Sequence, residues 1–163
     1  MFQCRHIIQK LKSIDMKKLT TIIAVLAIFI SGSAFAFTAD NVTREVKEAF
    51  EKKFNGARGV SWKESNDLFF ASFELNQRKL TAAYNADGEL LGLSRNISIS
   101  EVPLTVSESL KRNFGDYQIL ESVTEVLYDG QTSYYINAEN ATRSLQLKCY
   151  ADGEIAITKR VKK

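Results

Sequence analysis

Histidine, cysteine and proline are nearly missing from this chain. Its 163 residues hold one histidine, His6, two cysteines, Cys4 and Cys149, and one proline, Pro103. His6 and Cys4 both fall in an N-terminal segment that reads as an export signal. The chain left after its removal has no histidine, which excludes Ser-His-Asp and Cys-His catalysis and any histidine-ligated metal. It keeps one cysteine, Cys149, so no internal disulfide can form even in an oxidising compartment.

The signal has three parts. Met16-Lys17-Lys18 is basic, residues 19–30 are almost wholly apolar, and Ala34-Phe35-Ala36 is a small-residue cleavage site. The apolar run is shorter than the roughly 20 residues a bilayer-spanning helix needs. Residues 1–36 are therefore expected to be cleaved, with Met16 a better start than Met1. They carry five of the 22 basic and one of the 19 acidic residues, leaving 17 and 18 and a net charge of −1 in place of +3. Nothing in that balance suggests nucleic acid. The remaining 127 residues, 37–163, suit one domain with its own core.

That domain writes one pattern twice. Residues 68–89 align with 132–154 at an offset of 65, and Ala86-Asp87-Gly88-Glu89 recurs as Ala151-Asp152-Gly153-Glu154. Upstream, Val42, Val46, Phe50 and Phe54 recur as Val102, Val106, Leu110 and Phe114 at an offset of 60. Each set forms an apolar stripe with helical spacing. The first helix is expected over 38–54, with Thr38 or Asp40 as its cap and Asn55-Gly56 as its stop. The second is expected to begin with Pro103 in its first turn and to end at Gly115. Between these stripes the chain alternates apolar and polar residues with period two, broken by Ser65-Asn66-Asp67, Asn76-Gln77-Arg78, Asp87-Gly88, Asp129-Gly130 and Asp152-Gly153. This is the signature of half-buried antiparallel strands joined by tight turns. The five residues added between the offsets are placed most economically in the hairpin at 127–132. The expected fold is α+β: two tandem helix-plus-antiparallel-strand units, 38–99 and 100–163, forming one sheet with both helices on one face.

The order Phe54-Asn55-Gly56-Ala57, Val60-Ser61-Trp62, Tyr84-Asn85-Ala86-Asp87-Gly88-Glu89, Val102-Pro103 and Phe114-Gly115-Asp116-Tyr117 resembles the PepSY-like, beta-lactamase-inhibitor-like domains. These are small exported bacterial proteins common in Bacteroidetes, and the likeness runs over nearly all of 38–163. It implies a periplasmic or secreted location, the tandem fold, and a loose analogy to protein inhibition.

The candidate binding residues lie on the sheet face turned away from the stripes: Phe70, Ser72 and Glu74, and by the repeat Tyr135, Asn137 and Glu139, with Lys148 and Tyr150 on a neighbouring strand. Exposed aromatics among scattered charges suit protein recognition, whereas the same pairs could simply stabilise the sheet. Trp62 reads as core at the helix–sheet boundary. Cys149, aligned with Tyr84, reads as a buried structural thiol. Asp87, Glu89, Asp152 and Glu154 read as turn residues, since the oxygen-rich loop that calcium needs is missing. No catalytic constellation, metal site or cofactor motif is present in the sequence. The expected protein is a non-enzymatic exported binding or inhibitory module whose partner is another exported protein. It meets no nucleic acid, and touches the membrane only through its signal peptide. The alternative is a structural or stress-related envelope protein that holds a small ligand or cell-wall component between helices and sheet.

Overall fold

The computed structural model describes residues 41–163. The signal segment 1–36, the alternative start Met16, and the caps expected at Thr38 and Asp40 lie outside the described residues.

Two-residue turns set the course of the chain. Asn66-Asp67, Asn76-Gln77 and Asp129-Gly130 all have positive φ at both central residues. That is the type I′ geometry, whose twist matches that of the strands it joins. They link β1 (Arg58–Ser65) to β2 (Leu68–Leu75), β2 to β3 (Arg78–Tyr84), and β5 (Gln118–Tyr128) to β6 (Gln131–Glu139). With β4 (Leu90–Ser98), β7 (Arg143–Tyr150) and β8 (Ile155–Lys162) they make one eight-stranded sheet in the order β1 to β8. Every neighbouring pair is antiparallel.

This corrects the expected fold class. Among the described residues the protein is mostly β, with two ten-residue helices, α1 (Arg44–Lys53) and α2 (Leu104–Asn113). It is organised by a single open sheet, and the division into helix-plus-strand units does not describe it. The single sheet was expected and holds across the seam, where β4 and β5 pair without a break from Gly92↔Tyr128 to Ser98↔Ser122. What the two apolar stripes overstated is the helical share, ten residues in each helix against eight strands. The helices are also shorter than their stripes, because the stripe's outer members stand beyond the helical turns: Phe54 and Phe114 are C-caps.

α1 begins at Thr43, whose side-chain oxygen accepts from the Val46 N–H at 3.3 Å. α2 begins at Pro103, an N-cap with extended ψ and no side-chain bond. Both end identically: the N–H of Phe54 donates to the Phe50 carbonyl and that of Phe114 to the Leu110 carbonyl, each at 2.8 Å.

The repeated Ala-Asp-Gly-Glu turn clasps the helices. Thr43 donates its hydroxyl to the Ala86 carbonyl at 3.1 Å, and Thr105 donates to the Ala151 carbonyl at 2.7 Å. Gly88 and Gly153 have φ of +78° and +92° and lie directly against helix backbone. A Cβ on Gly88 would stand 2.6 Å from the Glu45 carbonyl oxygen; one on Gly153 would stand 2.8 Å from Ser109 Oγ and 3.0 Å from the Thr105 carbonyl oxygen.

Beneath α1, Val46 and Phe50 pack with Trp62, Phe69, Ala71, Phe73, Ala82 and Tyr84. Beneath α2, Val106 and Leu110 pack with Val123, Tyr134, Ile136, Leu145, Leu147 and Cys149. Between the two cores stands a cross-strand ion pair, Arg95 with Glu125. The β5–β6 hairpin is longer than β1–β2: Ser65↔Leu68 closes the first, whereas Leu127↔Thr132 and Tyr128↔Gln131 extend the second before its turn. Four of the five added residues are therefore in 127–132, and the fifth is at the irregularity between Ile119 and Val123.

Both sheet edges discourage further pairing. β1 carries a bulge between Arg58 and Ser61. β8 is almost wholly exposed and carries Lys159, Arg160 and Lys162.

The clasp predicts an asymmetry among glycines. Gly130→Ala, with φ of +71° and no neighbour within 4 Å, should lose about 1 kcal/mol from left-handed strain alone. Gly88→Ala adds a collision with helix backbone and should lose on the order of 3 kcal/mol. Urea melts that give equal losses would refute the clasp.

Candidate functional site

The pleat decides which side each candidate faces. On β2, Phe69, Ala71 and Phe73 pack under α1, so Phe70, Ser72 and Glu74 point the other way. On β6, Tyr134, Ile136 and Ala138 pack under α2, so Tyr135, Asn137 and Glu139 point away from it. Register then places Lys148 opposite Tyr135 and Tyr150 opposite Ser133 on the same side.

This face is less open than its sequence suggests. Phe70 is 1% exposed and Tyr135 7%. The two belong to a third apolar cluster with Ala83 and Val126, against which Leu68, Leu91 and Tyr128 pack. The expectation that Phe70 and Tyr135 are exposed contact residues is therefore corrected. Period two gives the side of a side chain and says nothing about what covers it. Around this cluster, Glu74 and Asn137 are exposed, while Ser72, Glu139, Lys148 and Tyr150 are half-buried.

The candidates fall into two patches. Phe70, Ser72 and Glu74 sit on β2; the other five sit on β6 and β7. Three strands lie between β2 and β6, and the apolar cluster of Phe70, Ala83, Val126 and Tyr135 bridges them. A row of short hydroxyl side chains crosses the gap: the register runs Ser72↔Thr81↔Ser94↔Val126↔Ser133↔Tyr150. Ser72 Oγ and Thr81 Oγ1 are hydrogen-bonded at 3.2 Å, and Thr81, Ser94 and Ser133 are buried. Sequence reasoning missed this row, which emerges only when five strand registers are laid side by side.

The β6–β7 patch is polar and ordered. Lys148 Nζ stands 4.6 Å from the centre of the Tyr150 ring, a cation–π contact. Glu139 is paired with Lys163 at 2.7 Å. Burial, with a smaller contribution from nearby Tyr150, pushes the Tyr135 phenol up to about 12.

Trp62 is 8% exposed and meets the Phe50 ring edge-on at 5.3 Å, as expected of a boundary core residue. It also walls a groove of about 480 Å³ at the C-terminal end of α1, where Phe50, Phe54, Ala57 and Val60 complete the apolar lining and Lys47 and Glu51 add charge. The sequence marked Phe50 and Phe54 as an apolar stripe and Trp62 as boundary core, but nothing in it indicated the groove they line. Cys149 is fully buried and its thiol is pushed up to about 12 by burial. Tyr84, its counterpart, is 1% exposed, and its phenol is likewise pushed up to about 12. Its hydroxyl is buried without a hydrogen-bond partner. Asp87 and Asp152 lie in turns, and Asp152 Oδ1 accepts from the Glu154 N–H at 3.0 Å. Among the described residues no three histidine, cysteine or acidic side chains converge as a metal site would require.

No protein-family model matches this chain, and no curated protein matches it either. Solved structures do. A DUF2874 family protein from Bacteroides ovatus matches with a TM-score of 0.64 and 20% identity, over 76% of this chain and 89% of its own. A BLIP-like protein from Bacteroides fragilis matches with a TM-score of 0.63 and 16% identity, over 74% and 87%. A candidate periplasmic protein from Bacteroides eggerthii matches with a TM-score of 0.64 and 20% identity, over 74% and 88%. At these identities the likeness establishes a shared fold. It agrees with the BLIP-like side of the resemblance drawn from the sequence; the PepSY-like side has no counterpart in these three.

Burial has three consequences. Phe70→Ala should lose about 3–5 kcal/mol, as much as Phe73→Ala, because each empties a core site; a Phe70 loss below about 1 kcal/mol in a urea melt would contradict its burial. Stability should also fall in alkali. Tyr84 and Tyr135 have folded pKa values of about 12 against 10.0, and Cys149 about 12 against 9.0. A raised folded pKa favours the neutral form, so this stability is intact below about pH 9 and is lost as pH climbs towards 12. Tyr84→Phe removes an unpaired buried hydroxyl, so it should stabilise the protein at pH 7 by about 1 kcal/mol and flatten the alkaline decline measured by thermal melts.

Proposed function

We propose that this protein is an exported, non-catalytic module that binds another exported protein through the sheet face opposite its helices. The observation that carries this reading is the β6–β7 patch. A half-buried tyrosine held under a lysine, beside exposed Asn137, stands on a buried aromatic base of Tyr135 and Phe70. Aromatic and cationic side chains held in place by a packed base bind at low conformational cost, which is how interface hot spots work. Likeness in fold to a BLIP-like protein and to a candidate periplasmic protein supports an inhibitory or recognition role outside the cytoplasm. Fold alone does not choose a target.

In this reading the contact residues are Ser72, Glu74, Asn137, Glu139, Lys148 and Tyr150, while Phe70 and Tyr135 hold the face in shape. The test is affinity capture from the envelope fraction of the source bacterium. Lys148→Ala/Tyr150→Ala is the control, because both side chains are half-exposed and their removal should leave the fold intact. A protein retained by the wild type and lost by at least about tenfold with the control would identify the partner. Equal retention by both, with matching melting temperatures, would remove the sheet face from consideration.

A further inference from the structure

Strand β8 is the repeat counterpart of β4. The offset of 65 carries Leu80 to Leu145 and Arg95 to Arg160. The registers agree there. Leu80 faces Arg95 across β3 and β4, Leu145 faces Arg160 across β7 and β8, and Thr81↔Ser94 matches Gln146↔Lys159 one step along. No positive φ interrupts either stretch. The match begins at Lys159, because β7–β8 is irregular between Gln146 and Leu147 whereas β3–β4 is irregular between Ala83 and Tyr84. Over the matched residues one thing differs. β4 has a strand on its far side, and β8 has none among the described residues. The strand beside β4 is β5, which runs antiparallel and sets Glu125 against Arg95 as an ion pair. Arg160 stands in the place of Arg95 but is exposed and has no carboxylate partner among the described residues, nor have Lys159 and Lys162 beside it.

We propose that the open edge of β8 is a binding site for an acidic, extended segment of another polypeptide, which joins the sheet as a further antiparallel strand. The molecule itself shows the mode, because β5 lies along the same edge of β4. The backbone is ready for it. Lys163 N–H donates to the Thr142 carbonyl at 3.0 Å, so by antiparallel alternation Lys162 and Arg160 turn their N–H and C=O groups outward. Main-chain bonds to such an edge supply affinity, and side chains choose the occupant. A strand in the register of β5 sets one residue against each of Lys159, Arg160 and Lys162, and carboxylates at those three places meet three unpaired cations. A second copy of this chain does not fit. β8 against β8 would oppose cation to cation, and the other end strand, β1, carries Arg58 and Lys63 and a bulge between Arg58 and Ser61. The charges that keep the edge from pairing with itself are thus the ones that select an acidic strand. This edge is distinct from the sheet face, and it stands or falls independently of that reading.

The test titrates the full chain, labelled with nitrogen-15, with an acetylated and amidated octapeptide of valine, threonine and glutamate whose glutamates are spaced to meet Lys162, Arg160 and Lys159. A parallel peptide carries glutamine for each glutamate. The expected result is saturable shifts and slowed hydrogen exchange at the Arg160 and Lys162 amides with the glutamate peptide, at an affinity about tenfold or more above that of the glutamine peptide. Arg160→Glu/Lys162→Glu should abolish this response, and a peptide with lysine for each glutamate should restore it. Lys162→Pro removes one outward N–H and spares the inner ladder, so it should weaken binding by about tenfold while the melting temperature is unchanged. Equal affinity for the glutamate and glutamine peptides, Arg160 and Lys162 amides that neither shift nor slow, or wild-type binding by folded Lys162→Pro would each overturn the proposal.

Discussion

A glycine pressed against a helix carbonyl holds this molecule together. The two helices are short; at ten residues neither would persist alone in water. Each is fixed at both ends. At its start a threonine hydroxyl and a glycine turn bring the sheet to within contact distance of helix backbone. At its far end a phenylalanine cap sinks into the core. Glycine is required because the approach leaves no room for a Cβ and because φ is positive there. That is why the same four letters appear twice, and why they carry no chemistry beyond the turn.

Once the helices are fixed, the sheet must serve two faces. Residues at one parity complete the cores beneath α1 and α2. Residues at the other parity form a smaller cluster around Phe70 and Tyr135, surrounded by short hydroxyls and then by charge. Ala83 and Val126 lie with Phe70 and Tyr135 in that cluster, and Leu68, Leu91 and Tyr128 pack against it. A rigid centre with a polar border is a suitable support for recognition. It keeps Lys148 and Tyr150 in one arrangement before any partner arrives.

Local physics was legible in the sequence; long-range physics was not. The stripes Val46–Phe50 and Val106–Leu110, the Asp-Gly and Asn-Asp turns, the buried Cys149 and the boundary role of Trp62 all follow from spacing or from one residue's chemistry. The fold class was misread because each stripe outruns its helix: Phe54 and Phe114 stand beyond the last helical turn, which leaves ten residues in each helix beside eight strands. The exposure of Phe70 and Tyr135 was misread because alternation assigns a side chain to a side of the sheet and not to a depth. The groove had no positive signal at all.

The two helix ends show how a repeat reaches equivalent packing by different residues. The cap hydrogen bonds of Phe54 and Phe114 agree at 2.8 Å, and those of Ala57 and Tyr117 at 3.0 Å. The backbone around them does not agree: Gly56 and Gly59 have φ of +87° and +61°, whereas their counterparts Asp116 and Ile119 have no positive φ. After α2 the Tyr117 ring packs edge to face on Phe114 and against the core. After α1 the aromatic volume comes from below, where Phe50 and Trp62 stand in place of Leu110 and Val123 and are held by Phe73 and Tyr84. Large core residues under one helix and a large loop residue after the other serve the same end, so a residue's size at one repeat position has meaning only together with its neighbours.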